Sequence, residues 1–286
     1  MIVNGVDKKK TVLGLIVFII VALFCGWLGV FIDSVLEGQP QGETLGMVVW
    51  LILPLLTTLL IRTFGGGWKD TGFSPNFKGN LVWYVLSIVL FPITMFVLIW
   101  IGVGVKWIET SPLDLKQIIP AVVGSLVTVF IKNIFEESVW RGYLTQKLLL
   151  LKLRDWQLYL IVGVVWGLWH LPYNLVFLPM SDIQMVAPIS RLQFTLLNLI
   201  TTFALTILYT EFFRITKSIW PMVILHTVSN AVVNRLFLDG TISVLSGKEA
   251  IISPVIGVAP LLLYVFFGLL LRRYRIKREN VQDDMI

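Results

Sequence analysis

The chain has 286 residues, of which 57% are hydrophobic and only 14% are charged, and its mean hydropathy is +0.85. Soluble domains carry about 25% charged residues, so this composition excludes an ordinary soluble protein and is typical of a polytopic membrane protein. The net charge of +6 does not indicate a nucleic-acid partner, because the basic residues lie at the ends of apolar segments, where they orient a protein in the membrane.

Eight apolar segments have at least the ~17 residues that a helix needs to cross a bilayer. Backbone groups in lipid must find their hydrogen-bond partners within the segment, so the predicted fold is an all-α bundle of about eight transmembrane helices. The first is expected to be a retained helix, since its apolar run is longer than that of a signal peptide and no small-residue cleavage pattern follows. The predicted spans are residues 11–32, 45–61, 81–103, 118–151, 157–177, 192–209, 218–236 and 252–271.

Basic residues are distributed unequally between the two sides of the predicted bundle. Seventeen Lys and Arg residues lie on the side of the N-terminus and five on the opposite side, with Lys132 inside a span. Positive residues favour the cytoplasm, so an even number of spans with both termini cytoplasmic is predicted. The basic residues in 272–278 are expected only to lie against anionic lipid headgroups. The glycine-rich turn at residues 64–68 lacks the strand, lysine and spacing of a phosphate loop, so no ligand is expected there.

Three charged residues, Glu136, Glu137 and Arg141, fall inside the fourth predicted span. A charge at bilayer depth costs roughly 2.5–3.5 kcal/mol on insertion scales, so this group needs a reason. Glu137 and Arg141 are spaced i, i+4, which predicts an ion pair on one helix face. Glu136 points about 100° away and is expected to stay unpaired, which suits a general acid or base. The alternative is a purely structural ion pair at a helix end.

Both histidines of the protein, His170 and His226, also fall inside predicted spans. Pro172 should bend the helix next to His170 and open room around its side chain. His226 and Asn230, at i and i+4, share a face and can both donate hydrogen bonds to one point, as stabilisation of an oxyanion requires. The alternative is that these polar residues only hold neighbouring helices together.

Three ordered motifs resemble those of the CPBP family of intramembrane proteases, also called the CAAX amino-terminal protease or Abi family. Residues 136–144 (EESVWRGYL) resemble its EExxxR signature. Residues 166–170 (WGLWH) resemble its FxxxH motif with Trp166 in place of phenylalanine, and residues 226–230 (HTVSN) resemble HxxxN. The resemblance covers roughly residues 118–235, whereas the first three predicted spans match only in being apolar.

The resemblance implies an endopeptidase that cleaves membrane-associated proteins or peptides near the cytoplasmic face. Glu136 would be the general base that activates a water held together with His170. His226 and Asn230 would form the oxyanion hole for the tetrahedral intermediate. These implied roles agree with the chemistry expected from the residues themselves.

The same resemblance assigns supporting roles to Glu137 and Arg141, which would orient the catalytic side chains. It also implies three regions in the chain. Residues 1–117 would contain the first three transmembrane helices, 118–236 the CPBP-like catalytic core, and 237–286 the last helix with a basic cytoplasmic tail.

The family is often described as metalloproteases, so zinc is possible, and it would be held by Glu136, His170 and His226. The chain lacks the HExxH arrangement of zincins, and a water bound by glutamate and histidine suffices without metal. The hypothesis is therefore that no cofactor is required. The expected partners are a membrane protein or peptide substrate and the lipid bilayer, and not nucleic acid.

The predicted location is a membrane, most simply the bacterial plasma membrane. Two other functions are compatible with the same residues. The first is a non-catalytic bacteriocin self-immunity or membrane-binding protein, since family members resemble immunity factors. The second is a proton-coupled transporter, which ranks last because the sequence has no internal repeat and no pair of broken helices.

Overall fold

The computed structural model describes residues 2–3, 6–36, 38–40, 42–65, 67–68, 70–111, 115–233, 241–253 and 255–283. It is 79% helical with almost no strand, which confirms the predicted helical class. The α-helices are α1 (Lys8–Val35), α2 (Leu45–Gly65), α3 (Leu81–Gly104), α4 (Leu115–Val139), α5 (Gln146–Leu149), α6 (Asp155–Trp169), α7 (Met180–Val186), α8 (Arg191–Thr216), α9 (Trp220–Val228), α10 (Glu249–Ile252) and α11 (Val258–Asp283).

Within the described residues, six helical segments are long and apolar enough to cross a membrane. They are Lys8–Val35, Leu45–Gly65, Leu81–Gly104, Lys116–Leu149, Asp155–Phe177 and Arg191–Thr216. Their outer faces carry exposed apolar side chains such as Phe24 (65% exposed) and Trp100 (71% exposed), which are stable against lipid and costly in water. The chain is therefore an integral membrane protein.

The last two predicted spans coincide with helices of different character. The segment 218–236 is helical from Trp220 to Val233, and its end at Leu236, like Arg235, lies outside the described residues. The segment 252–271 falls on α10 and on α11, whose second half is strongly charged. Eight spans with both termini in the cytoplasm therefore stay a prediction.

Three π-helical turns interrupt the helices next to the three sequence motifs. They are π1 (Trp140–Thr145), π2 (Tyr173–Phe177) and π3 (Ser229–Val233). The helix is also tightened at His170, whose N–H donates to the carbonyl of Gly167 at 3.0 Å. Such turns shift the side chains that follow around the helix axis and are frequent at functional sites.

The short strands in the described part of the chain form two antiparallel pairs. β1 (Ile2–Val3) pairs antiparallel with β2 (Val6–Asp7). β3 (Ile108–Thr110) pairs antiparallel with β4 (Ile242–Val244), with Glu109 opposite Ser243. The second ribbon joins the end of α3 to the segment that precedes α10.

Close packing of α1 on α2 depends on two glycines. A Cβ on Gly29 or on Gly46 would collide with the backbone of the other helix, so only glycine allows this approach. Asp33 on α1 accepts a hydrogen bond from the N–H of Gly46 at 2.8 Å. This contact satisfies one of the free N–H groups in the first turn of α2.

Trp50 on α2 holds the segment that carries His170. Its ring stacks on Trp169 at a centroid distance of 4.1 Å and on Tyr173 at 5.0 Å. Each indole also donates a hydrogen bond to the backbone of the other residue. Trp50 Nε1 donates to the Trp169 carbonyl at 2.8 Å, and Trp169 Nε1 donates to the Trp50 carbonyl at 3.3 Å. The first helices, which match the family only in being apolar, thus support the second motif.

The basic residues after the last predicted span do more than lie against lipid headgroups, so that expectation is wrong. Arg272 Nε lies 2.6 Å from Asp155, and Arg275 lies 2.8 Å from Asp155 and 2.7 Å from Glu211. Arg275 is 4% exposed and Glu211 is fully buried. Burial opposes the charge of Arg275, but its hydrogen bond to Glu211 and the nearby acids raise its pKa above the usual value. These ion pairs tie α11 to the ends of α6 and α8.

Candidate active site

The predicted ion pair between Glu137 and Arg141 is confirmed. Arg141 Nη1 lies 3.2 Å from both carboxylate oxygens of Glu137, and both side chains are fully buried. The guanidinium lies between two aromatic rings, 4.1 Å from the Trp166 centroid and 4.5 Å from that of Tyr209. Cation–π attraction to both rings holds Arg141 inside the bundle, so it acts as the internal counterion of Glu137.

Glu137 also links α4 to α9. Its Oε1 lies 2.9 Å from His226 Nδ1, and the His226 ring packs edge-on against Trp166 and Tyr209. In its ion pair with Arg141, Glu137 is a carboxylate, which only accepts hydrogen bonds, so the hydrogen of this contact is carried by His226 Nδ1. Glu137 therefore fixes the orientation of the His226 ring.

Glu136 does not contact Arg141 in any described hydrogen bond or ion pair, but the expectation that it is unpaired is wrong. Lys132 Nζ lies 2.5 Å from Glu136 Oε1, in an ion pair at i, i+4 on the same helix. Glu136 is 2% exposed. Its second oxygen, Oε2, is buried and makes no hydrogen bond to any described residue. Lys132 is not among the predicted site residues, although the spacing that predicts the Glu137 pair also predicts this one.

His170 is held by its own helix and by aromatic rings. Its Nδ1 lies 2.8 Å from the carbonyl oxygen of Trp166. Since a carbonyl can only accept, Nδ1 carries the hydrogen and the Nε2 lone pair is left as an acceptor. The Trp166 ring packs against both histidines, at centroid distances of 5.9 Å to His170 and 6.0 Å to His226, and Glu136 lies within electrostatic range of both. The structure thus brings these predicted residues into one region.

Trp166 connects two of the motifs. Its carbonyl accepts the hydrogen bond from His170, and its ring lies over Arg141. The contact with Arg141 needs a large aromatic side chain at position 166. Tryptophan meets this need, as would the phenylalanine of the family motif.

Asn230 lies in π3 rather than in α9, and it is partly exposed. His226 lies near the end of α9, so the π-helical turn begins between the two residues. Their predicted convergence on one oxyanion stays a prediction.

Two polar contacts around the cluster are not predicted from the sequence. Asn133 Nδ2 donates to Thr227 Oγ1 at 3.2 Å, and Asn133 is fully buried one turn before the two glutamates. Arg62 on α2 donates to the carbonyls of Gly67 and Gly142 and pairs with Asp70 at 3.2 Å. The first contact ties α4 to α9 beside His226, and the second holds the start of π1.

The glycine-rich turn thus supplies a carbonyl, that of Gly67, which accepts a hydrogen bond from Arg62. Gly66 and Lys69 of this turn region lie outside the described residues.

The arrangement does not fit a zinc site. Within the described part of the chain, no three His, Cys, Asp or Glu side chains are placed to hold a metal ion. Glu136 Oε1 faces the Lys132 ammonium and His226 Nδ1 faces Glu137. The alternative ligand set of Glu136, His170 and His226 would have to use Glu136 Oε2 and the Nε2 atoms of both histidines, and these side chains are not grouped as metal ligands in this arrangement.

Fold and site together define a helical integral membrane protein with a buried glutamate–histidine–arginine cluster in its core. Residues 118–232 match the Rce1-like family model, described as type II CAAX prenyl endopeptidase Rce1-like. This segment contains all three motifs, and its match supports the CPBP/CAAX protease family. The match supports intramembrane endopeptidase activity of the CAAX type. No curated protein matches the chain.

Proposed function

We propose that the protein is an intramembrane endopeptidase that hydrolyses a peptide bond of a membrane protein or peptide near the cytoplasmic face of the bacterial plasma membrane. The observation that carries the proposal is Glu136, which keeps one buried carboxylate oxygen free of hydrogen bonds to described residues within electrostatic reach of both histidines. A carboxylate in this state can take a proton from water as a general base. The family match of residues 118–232 supports hydrolysis of a peptide bond.

The first step activates water. Glu136 Oε2 and His170 Nε2 are both acceptors, so one water molecule can donate one hydrogen to each and direct a lone pair of its oxygen at the substrate carbonyl. As the oxygen–carbon bond forms, Glu136 accepts the proton that the water loses. His170 keeps the water oriented through the hydrogen that does not move.

The second requirement is a donor pair for the tetrahedral oxyanion, which we assign to His226 and Asn230. Asn230 donates through its amide, and His226 through Nε2. Because Nδ1 of His226 already donates to Glu137 at 2.9 Å, donation through Nε2 requires the ring to carry both hydrogens. The Glu137 carboxylate beside it stabilises this imidazolium, much as an aspartate supports the histidine of a serine protease.

The intermediate collapses when the proton held by Glu136 passes to the amide nitrogen. The carbon–nitrogen bond then breaks, and the products are a carboxylic acid and an amine. Glu136 returns to the ionised form that faces Lys132. No step is routed through a metal ion, since the donors do not fit one in this arrangement.

The proposal is tested with the purified protein in nanodiscs and two reporters, a farnesylated CAAX peptide and a single-span membrane peptide. We expect cleavage of at least one reporter by the wild type. Glu136→Gln and His170→Ala should each lower kcat by ~10²–10⁴-fold, because the first removes the general base and the second removes the group that orients the water. Glu109→Gln, an exposed glutamate on β3, is the matched control and should retain wild-type kcat.

Two results would overturn the assignment. One is a Glu136→Gln variant with full activity. The other is cellular protection against a bacteriocin that survives alanine at both Glu136 and His170, which would instead support the non-catalytic immunity function. Stoichiometric zinc in protein purified without chelator, lost in either variant, would reject the metal-free mechanism. If the wild type cleaves neither reporter, comparison of the membrane and secreted peptides of wild-type and Glu136→Ala cells decides whether any substrate accumulates.

A further inference from the structure

Lys132 is a charged residue of the buried cluster to which neither the family motifs nor the proposed mechanism gives a part. It lies one helical turn before Glu136 on α4, with Nζ 2.5 Å from Glu136 Oε1. Its side chain is 33% exposed, whereas that of Glu136 is 2% exposed. The ammonium therefore reaches the acid from the accessible side of the cluster.

The counterions of the two adjacent acids lie in opposite directions along the helix. Glu137 pairs with Arg141, four residues later, and Glu136 pairs with Lys132, four residues earlier. Arg141 Nη1 lies 3.2 Å from both oxygens of Glu137 and between two rings, so a cation contacts each oxygen of this acid, although Oε2 makes no hydrogen bond to a described residue. Lys132 contacts one oxygen of its acid, so that pair leaves the other oxygen available.

This difference has a geometric consequence for Glu136. The terminal carboxylate torsion of glutamate is broad, so the group would otherwise turn between many orientations. A charge-assisted hydrogen bond on Oε1 fixes the plane of the carboxylate and determines which oxygen is left for chemistry. Within the described residues, Glu136 has no other hydrogen-bond partner that could perform this task.

We infer that Lys132 is a positioning residue for the proposed hydrolysis: it holds Glu136 Oε1 so that Oε2 is presented to the reacting water. The inference rests on the proposed endopeptidase function. It assigns Lys132 no contact with the substrate, so the residue should affect the rate of the chemical step and not the affinity for the substrate.

The test measures kcat and KM separately for the reporter that the wild type cleaves. Lys132→Met should lower kcat by ~100-fold, the loss expected when a catalytic group is displaced by about 1 Å, and leave KM within about threefold. Lys132→Arg should restore kcat to within about tenfold of wild type, because a guanidinium can also donate to Oε1. Lys147→Met is the matched control: Lys147 also makes an ion pair, at 3.2 Å to Asp70, but lies outside the cluster. Its kcat should stay close to wild type.

A double variant separates positioning from general structural support. Lys132→Met added to Glu136→Gln should cause no further loss of kcat, because the lysine acts only through the acid. If Lys132→Met does not fold, Lys132→Gln replaces it with the same expected direction, since an uncharged amide makes a weaker contact with the carboxylate.

The outcomes distinguish this inference from the function on which it rests. A wild type that cleaves, a Glu136→Gln variant that does not, and a Lys132→Met variant with kcat within threefold of wild type would overturn the inference alone. A Lys132→Met variant with raised KM and unchanged kcat would also overturn it, because the lysine would then bind substrate. A fully active Glu136→Gln variant would overturn the proposed function and the inference with it. So would a wild type that cleaves neither reporter, if wild-type and Glu136→Ala cells also contain the same membrane and secreted peptides.

Discussion

Arg141 is the residue whose removal tests the buried cluster most directly. Its guanidinium is fully buried, pairs with Glu137 and lies between the rings of Trp166 and Tyr209. Arg141→Met removes the charge and keeps an unbranched apolar chain. We expect the variant to be less stable and to lose endopeptidase activity, since Glu137 would no longer be held in place for His226.

The size of the effect follows from the contacts. Removal of one partner of a buried ion pair costs roughly 3–5 kcal/mol, because the remaining charge is uncompensated. His226 still faces Glu137 at 2.9 Å and can balance part of its charge, which favours the lower end of this range. Loss of the desolvated cation–π contacts adds ~2 kcal/mol. The expected loss in the free energy of unfolding is therefore about 5 kcal/mol.

The measurement is equilibrium unfolding in mixed detergent micelles, followed by tryptophan fluorescence. Arg278→Met, at an exposed position on α11, is the control and should change stability by less than ~0.5 kcal/mol. The double variant Glu137→Gln with Arg141→Met should be more stable than Arg141→Met, because the uncompensated charge is gone. A single variant within ~1 kcal/mol of wild type, or a double variant that loses the sum of both single effects, would refute the reasoning.

Three further contacts that surround the site are tested by substitution. Arg275→Met should cost roughly 3 kcal/mol in unfolding, the lower end of the range for a broken buried ion pair, because its buried partner Glu211 stays charged and keeps, among the described cations, only the longer contact with Arg214 at 3.3 Å. Arg273→Met at an exposed neighbour should cost less than ~0.5 kcal/mol. Asn133→Ala and Thr227→Val should each cost ~0.5–1.5 kcal/mol, and the double variant should cost less than their sum, since both remove the same hydrogen bond. Trp166→Phe keeps an aromatic ring over Arg141 and should retain kcat within about tenfold of wild type. Trp166→Ala removes a ring worth ~3–5 kcal/mol of packing and should abolish activity. Equal activity of the two variants would contradict the cation–π role of the ring.

Local spacing predicts much of the helical framework and one contact of the site. The apolar runs predict the helices, since their composition and length are local properties of the chain. The pair of Glu137 with Arg141 follows from two positions on one helix face. The same spacing rule also predicts the ion pair of Lys132 with Glu136. This pair is absent from the sequence-based predictions, because Lys132 is treated there only as a charge within a span.

Contacts between distant helices are not contained in such local patterns. Trp50 is one apolar residue among many in α2, and its stacking on Trp169 depends on how α2 packs against α6. Asp155 and Arg275 likewise meet only because α11 returns to the start of α6. The π-helical turns are of the same kind, because an inserted residue is stabilised by its tertiary surroundings and leaves little trace in the hydrophobic pattern.

The unequal roles of the two adjacent acids can be understood from their hydrogen bonds. Neighbouring residues of a helix point about 100° apart, so Glu136 and Glu137 face different partners despite their identical chemistry. Glu137 is engaged by Arg141 and by His226, which leaves it suited to orienting other groups. Glu136 is engaged on one oxygen by Lys132 and keeps the other free. The reactive acid is thus the one with an oxygen that no described cation contacts, and its counterion is the one that leaves this oxygen available to water.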